Sequence, residues 1–107
     1  MYYEQRTYIA APGKLDDLHK RFREHTLRIF EKHNIQVIGF WTPDDPQNVE
    51  VTYLLAYPDR EARERSWTAF RADPEWQDAK SASEQNGVLV AKIITQFLKP
   101  TDYSPLK

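Results

Sequence analysis

The period of apolar positions changes several times along the chain, and each change predicts an element. Tyr2 to Ile9 is rich in aromatic and β-branched residues and runs into Pro12-Gly13, a strand followed by a turn. From Lys14, apolar positions recur at spacings of three and four. Leu15, Leu18, Phe22, His25 and Ile29 then lie on one face of a helix reaching His33, with Asn34 as its C-cap. Ile35 to Thr42 predicts a second strand. Pro43-Asp44-Asp45-Pro46-Gln47-Asn48 is a turn-forming stretch that leads into a third, Val49 to Tyr57. There Val49, Val51, Tyr53, Leu55 and Tyr57 share one face. Pro58 stops the strand and Asp59 caps a second helix through Ala62, Trp67 and Phe70. Asp73-Pro74-Glu75-Trp76 restarts a helix to Ser83, with proline at its first position. Asn86-Gly87 ends that helix, and Val88 to Leu98 forms the last strand before Pro100.

The order β-α-β-β-α-β predicts an α+β, ferredoxin-like fold with an antiparallel sheet in the order 4-1-3-2 and the helices on one face. Residues 1–107 then form a single domain, with an extended tail over 100–107. The opposite sheet face has no covering element, although strand four alternates Leu89, Ala91, Ile93 and Phe97 with Val88, Val90, Ile94 and Leu98. That strand is also an edge, and a long apolar edge invites pairing with another chain. A homodimer built through sheet faces and edge strands is therefore expected.

Composition narrows the chemistry. The chain of 107 residues has no cysteine, which excludes disulfides, thiolate metal sites and thiol catalysis. With 15 basic and 16 acidic side chains, the net charge of −1 offers no cationic excess for nucleic acid. No apolar run approaches the ~18 residues of a membrane span. Met1 leads directly into Tyr2-Tyr3-Glu4, so neither an export leader nor a location other than the cytoplasm is expected. The glycines are isolated and the serines lack a nucleophile-elbow context, so phosphate-cradling loops and serine hydrolysis have no support.

Several strings, in order, resemble the NIPSNAP family. Tyr3-Glu4-x-Arg6-Thr7-Tyr8 with Pro12-Gly13-Lys14-Leu15 is similar to its opening. Glu31-Lys32-His33, Gly39-Phe40-Trp41, Ala56-Tyr57, Ala72-Asp73-Pro74-Glu75-Trp76 and Leu98-Lys99-Pro100-Thr101 are similar to its later landmarks. The resemblance implies a dimeric α/β barrel. It leaves activity open, because the wider superfamily includes cofactor-independent monooxygenases, isomerase-like enzymes, haem-handling enzymes and non-catalytic dimers. Many members carry a histidine and a tryptophan on strand three, where this chain has Tyr53 and Leu55.

Strand one carries the most informative polar residues. Tyr2, Glu4, Arg6 and Tyr8 share a face of a central strand, where a buried charge needs a partner. Two readings are open. Glu4 and Arg6 form a structural ion pair, or Arg6 anchors an anion, with Glu4 orienting it and Tyr8 donating a hydroxyl. His25, on the inward stripe of the first helix, is either a packed core histidine, a general base or a haem ligand. Trp41, Tyr53, Tyr57, Trp67 and Trp76 either pack the core and dimer seam or line a cavity for a planar ligand. No metal site is indicated, and no cofactor is predicted. The leading expectation is a small organic ligand held between sheet and helices by Glu4, Arg6, Trp41, Tyr53 and Tyr57. Any catalysis there would be cofactor-independent, monooxygenase- or isomerase-like, with His25 or Tyr8 moving a proton and Arg6 stabilising an oxyanion. The competing expectations are a non-catalytic dimeric interaction module and, more weakly, haem binding. Arg60-Glu61-Ala62-Arg63-Glu64-Arg65 reads as a solvated helix face.

Overall fold

A computed structural model describes residues 1–107. Its strands are β1 (Tyr2–Ala10), β2 (Gln36–Trp41), β3 (Glu50–Tyr57) and β4 (Val90–Leu98). Between β1 and β2 runs a helix in three parts: α1 (Leu15–Arg21), a π turn (Phe22–Thr26) and α2 (Leu27–Lys32). Helices α3 (Arg60–Ala72) and α4 (Pro74–Ser83) separate β3 from β4. The strands form one antiparallel sheet in the order β2-β3-β1-β4, the expected ferredoxin-like arrangement. No helix is long and apolar enough to cross a membrane.

Local chemistry sets most boundaries. Lys14 N–H bonds Ala11 O at 2.9 Å across Pro12-Gly13, and Gly13 takes φ +72°. Proline then glycine with positive φ at the central positions is the requirement of a type II turn. Asn34 closes α2 in the left-handed region (φ 60°). Ile35 N–H reaches back to Phe30 O and Asn34 N–H to Glu31 O, a Schellman closure with Ile35 and Phe30 both buried. The Asp59 carboxylate accepts from Ala62 N–H and that of Asp73 from Glu75 N–H, capping α3 and α4.

The helices cover the sheet face presented by Glu4, Arg6 and Tyr8 of β1 and Val51, Tyr53, Leu55 and Tyr57 of β3, all buried. Phe30 joins the two layers, with its ring 5.0 Å from Phe70, 5.6 Å from Trp67 and 6.2 Å from Tyr53. On the other face of β1, Tyr3 is buried while Gln5, Thr7 and Ile9 are half-buried.

Three local features differ from expectation. The first helix does not keep the α period: Leu27 N–H bonds Phe22 O, five residues back, and Thr26 Oγ1 donates to Arg21 O at 3.3 Å. The extra residue in that turn rotates Thr26 inward and leaves His25 half-buried, so His25 does not join the inward stripe. In β2 the register against β3 shifts between Val37 and Gly39, a bulge at Ile38. The shift changes which residues face the helices: Phe40 stacks on Tyr53 at 4.6 Å, and Trp41 is 56 % exposed. The last strand begins at Val90 rather than Val88, because Leu89 turns into the core and its carbonyl accepts from Ala11 N–H. Along β4, Ile93, Ile94 and Phe97 are 47 %, 47 % and 40 % exposed, so the edge is apolar and open.

Candidate functional site

The alternation of β1 delivers Glu4, Arg6 and Tyr8 to the helix side, and antiparallel pairing sets Tyr53 opposite Arg6 and Tyr57 opposite Tyr2. Their polar ends form one connected network. Glu4, with no exposed surface, accepts from Arg6 Nη1 at 2.9 Å, Arg63 Nη2 at 2.7 Å, Arg63 Nε at 3.1 Å and Tyr57 Oη at 2.7 Å. Tyr57 Oη in turn accepts from Trp67 Nε1 at 2.7 Å. Arg6 Nε donates to Tyr53 Oη at 2.9 Å, and its Nη2 lies 3.3 Å from Tyr8 Oη. The Tyr53 and Tyr8 hydroxyls are 2.9 Å apart. Every buried side-chain polar atom has a partner.

Electrostatics follow the geometry. Burial alone would raise the Glu4 carboxyl, but hydrogen bonds from Arg63 and Tyr57 and the charge of Arg6 outweigh it and hold it below its ordinary value. Burial opposes the charge on Arg6, yet the facing tyrosine oxygens and Glu4 keep it firmly protonated. The Tyr53 hydroxyl is pushed well up by burial, with Tyr8 adding to the effect, so Tyr53 is a neutral donor. The Arg6 guanidinium lies 4.4 Å over the Trp67 ring, and that of Arg63 lies 5.3 Å from the same ring.

Above this floor a cleft of about 540 Å³ opens between β4, the π turn and helices α3 and α4. Its walls include the rings of Tyr8, Phe22, Trp67, Phe70 and Trp76. Its charged lining is Arg6, Arg21, Arg71, Lys80 and Lys92 against the single carboxylate of Glu84. Glu84 is shared, at 3.1 Å from Lys80 Nζ and 3.5 Å from Arg21 Nη1, whereas Arg71 and Lys92 have no carboxylate within salt-bridge distance. A chain with a net charge of −1 therefore concentrates positive charge in this aromatic-walled recess.

The sequence-predicted residues divide into three groups. Arg6 and Tyr8 line the cleft. Glu4, Tyr53 and Tyr57 stand beneath it, buried, and fix Arg6 and Trp67 by hydrogen bonds rather than touching the open space. His25 and Trp41 lie elsewhere. His25 lines a polar groove between the first helix and α4, with Lys20, Glu24 and Ser83, and Trp41 lines a shallow recess with His19, Leu27 and Phe40. No imidazole lines the cleft, so a histidine-ligated haem has no ligand there, and of the two expected proton-transfer groups only Tyr8 is present. Arg63 was missed because its charged surroundings mark a solvated face. Its side chain nevertheless turns back under α3 onto Glu4 and is only 11 % exposed. The signal available was the unpaired second lone pair of a buried Glu4, which one arginine two residues away cannot satisfy alone.

A family model described as NIPSNAP matches residues 3–105. Among solved structures, an uncharacterized NIPSNAP domain protein from Burkholderia xenovorans superposes with a TM-score of 0.83 at 27% identity, covering 98% of this chain and 99% of that one. A NIPSNAP family protein from Agrobacterium tumefaciens gives 0.87 at 25% identity over 99% and 98%. A candidate antibiotic biosynthesis monooxygenase from Bacteroides thetaiotaomicron shares the fold at 0.62 and 16% identity, over 92% and 88%. No curated protein matches the sequence.

Proposed function

The chain belongs to the NIPSNAP family, matched over residues 3–105, and from that premise we propose that it binds a small organic molecule in the cleft between its sheet and helices. The observation that carries this reading is the coincidence of an aromatic-walled recess of about 540 Å³ with Arg6, held rigid by Glu4 and Tyr53, at its floor. Small-molecule sites are concave and mostly apolar with a few fixed polar groups, and this cleft has that form. A non-catalytic interaction module would have a filled interior in its place. If the bound molecule reacts, Arg6 and Tyr8 suit stabilisation of negative charge on an enolisable or phenolic substrate, a cofactor-independent chemistry. The monooxygenase-like neighbour supports that chemistry only through a shared fold.

Amide shifts of isotopically labelled protein titrated with benzoate test the reading. Shifts should map to Tyr8, Trp67, Trp76 and Ala91, and Ala91→Trp, at an exposed strand position lining the cleft, should abolish them while leaving the melting temperature within a few degrees. Shifts mapping to another surface, or unaffected by the filled cleft, would refute it.

A homodimer is the second part of the proposal. The observation favouring it is β4, an apolar edge strand exposed on both of its faces at Ile93, Ile94 and Phe97.

A further inference from the structure

The hydrogen-bond directions in the cleft floor determine what Tyr8 offers to the open space. Arg6 is a donor only, so Tyr53 Oη accepts from Arg6 Nε, and Tyr8 Oη accepts from Arg6 Nη2. Tyr53 has no exposed surface, and the one acceptor within reach of its proton is Tyr8 Oη at 2.9 Å. Were Tyr8 to donate instead, the Tyr53 proton would be left unpaired inside the core, which costs the full desolvation of a buried hydroxyl. Tyr8 Oη thus receives two hydrogen bonds, one from a cation and one from a neutral phenol. Its own proton has no acceptor in the protein, and Tyr8 lines the cleft. Hydrogen bonds that run in one direction polarise the last hydroxyl, so the Tyr8 O–H is a strengthened donor toward whatever sits above it.

The rest of the lining fits the same partner. Arg21, Arg71, Lys80 and Lys92 line the cleft with only Glu84 in opposition, and the half-buried Trp76 ring adds apolar surface among them. The acidic group nearest the floor, Glu4, is already shared between Arg6 and Arg63 and does not line the cleft. A neutral apolar ligand would leave the Tyr8 proton unpaired and gain nothing from the cations. A cation would be repelled.

Resting on the reading of this cleft as a ligand site, we propose that its ligand is a planar organic oxyanion, a phenolate, enolate or aromatic carboxylate, whose charged oxygen accepts the Tyr8 hydroxyl proton. The plane of the ligand lies against Trp76, and its remaining negative charge faces Arg71 and Lys92. The class excludes neutral rings and amines as good ligands, by the same charge argument.

The probe is 4-nitrophenol, whose phenolate and phenol have distinct absorption, compared with the near-isosteric neutral 4-nitrotoluene. With protein in excess the probe should ionise at a pH lower by about one unit, which corresponds to roughly tenfold tighter binding of the phenolate than of the phenol. Tyr8→Phe should remove most of that displacement without weakening nitrotoluene, whose binding no longer leaves a hydroxyl proton unpaired. Arg71→Gln with Lys92→Gln, both at exposed positions, should weaken nitrophenolate several-fold and nitrotoluene not at all. If nitrotoluene binds as tightly as the phenolate, or Tyr8→Phe leaves the displacement intact, the oxyanion assignment fails and the cleft remains a ligand site. If neither probe moves amide signals of the cleft lining, the cleft reading falls and the assignment falls with it.

Discussion

Arg63 Nη2 lies 2.7 Å from Glu4 Oε2, joining a helix whose sequence looks fully solvated to the fully buried carboxylate of β1. Glu4 thereby balances two guanidiniums at once, Arg6 on its own strand and Arg63 on α3. Removing its charge leaves both cations facing each other in a site with little water. Glu4→Gln should therefore cost about 3–5 kcal/mol, the range for breaking a buried pair from one side. Arg63→Met keeps the stem over Trp67 and leaves Glu4 with Arg6 and Tyr57, so a loss of about 1–2 kcal/mol is expected. Urea unfolding of the two variants measures the order, and a larger loss for Arg63→Met would contradict it.

Stability should fall in acid, with an assignable cause. The Glu4 carboxyl is held below its ordinary 4.5, since Arg63, Tyr57 and Arg6 outweigh the effect of burial. The Asp73 carboxyl is held well below 3.8 by hydrogen bonds from Lys32, His33 and the Glu75 N–H. A folded-state value lower than the unfolded one stabilises the fold fully above the unfolded value, and the contribution is lost as pH falls through the folded one. The melting temperature should thus be flat near neutrality and drop progressively below about pH 4. Asp73→Asn should lower the neutral plateau and flatten the acid limb. An acid limb as steep as in the parent protein would show that Asp73 is not its source.

The elements legible in the sequence were those written in local chemistry: the Pro12-Gly13 turn, the Asn34 closure, the Asp59 and Asp73 caps, and the alternation that buries Val51, Tyr53, Leu55 and Tyr57. Strand order followed from connection rules, and the Glu4–Arg6 pairing from their shared face. What escaped was set by one extra residue in each of two elements. The π turn moves His25 off the core stripe, and the bulge at Ile38 moves Trp41 off the helix face. Neither carries a residue-level signal, because both depend on which side chain fits the opposing layer, here Thr26 against the cleft and Phe40 against Tyr53. Arg63 escaped for a different reason: a long side chain can leave the face that its Cα position assigns to it.

His25 should be dispensable to the cleft. It is half-buried in a separate groove, so His25→Ala should change stability by less than about 0.5 kcal/mol and leave nitrophenolate binding unaltered. Thr26→Val, by contrast, removes the hydroxyl that donates to the Arg21 carbonyl while preserving shape, at an expected cost of about 1 kcal/mol. Equal effects at the two positions would argue against the altered register of the first helix.

Gly39 leaves room for a neighbour. A Cβ at this position would stand 2.8 Å from Trp41 Cη2, in contact with the far end of an indole that is 56 % exposed. Gly39→Ala should therefore displace the ring into solvent instead of disturbing the sheet. The cost should stay within about 1 kcal/mol, since the added side chain also favours the strand. Tryptophan emission should shift to the red in this variant, and the shift should vanish when Trp41 is replaced by Phe. A loss of several kcal/mol would mean that the indole is held more firmly than its exposure suggests.

The edge strand gives the last test, and it separates fold from assembly. Ile94 of β4 pairs with Thr7 on the sheet face away from the helices and is 47 % exposed, so within one chain it has little apolar contact to lose. Ile94→Glu should leave monomer stability within about 0.5 kcal/mol, as for most surface substitutions. In a homodimer built on β4 or on the open sheet face, the same change buries an unpaired carboxylate, which opposes association strongly. Sedimentation at micromolar concentration should then give twice 12.7 kDa for the parent chain and 12.7 kDa for Ile94→Glu, with unchanged circular dichroism. A parent chain that sediments as a monomer would remove the homodimer from the proposal and leave the cleft, which lies within one chain, untouched.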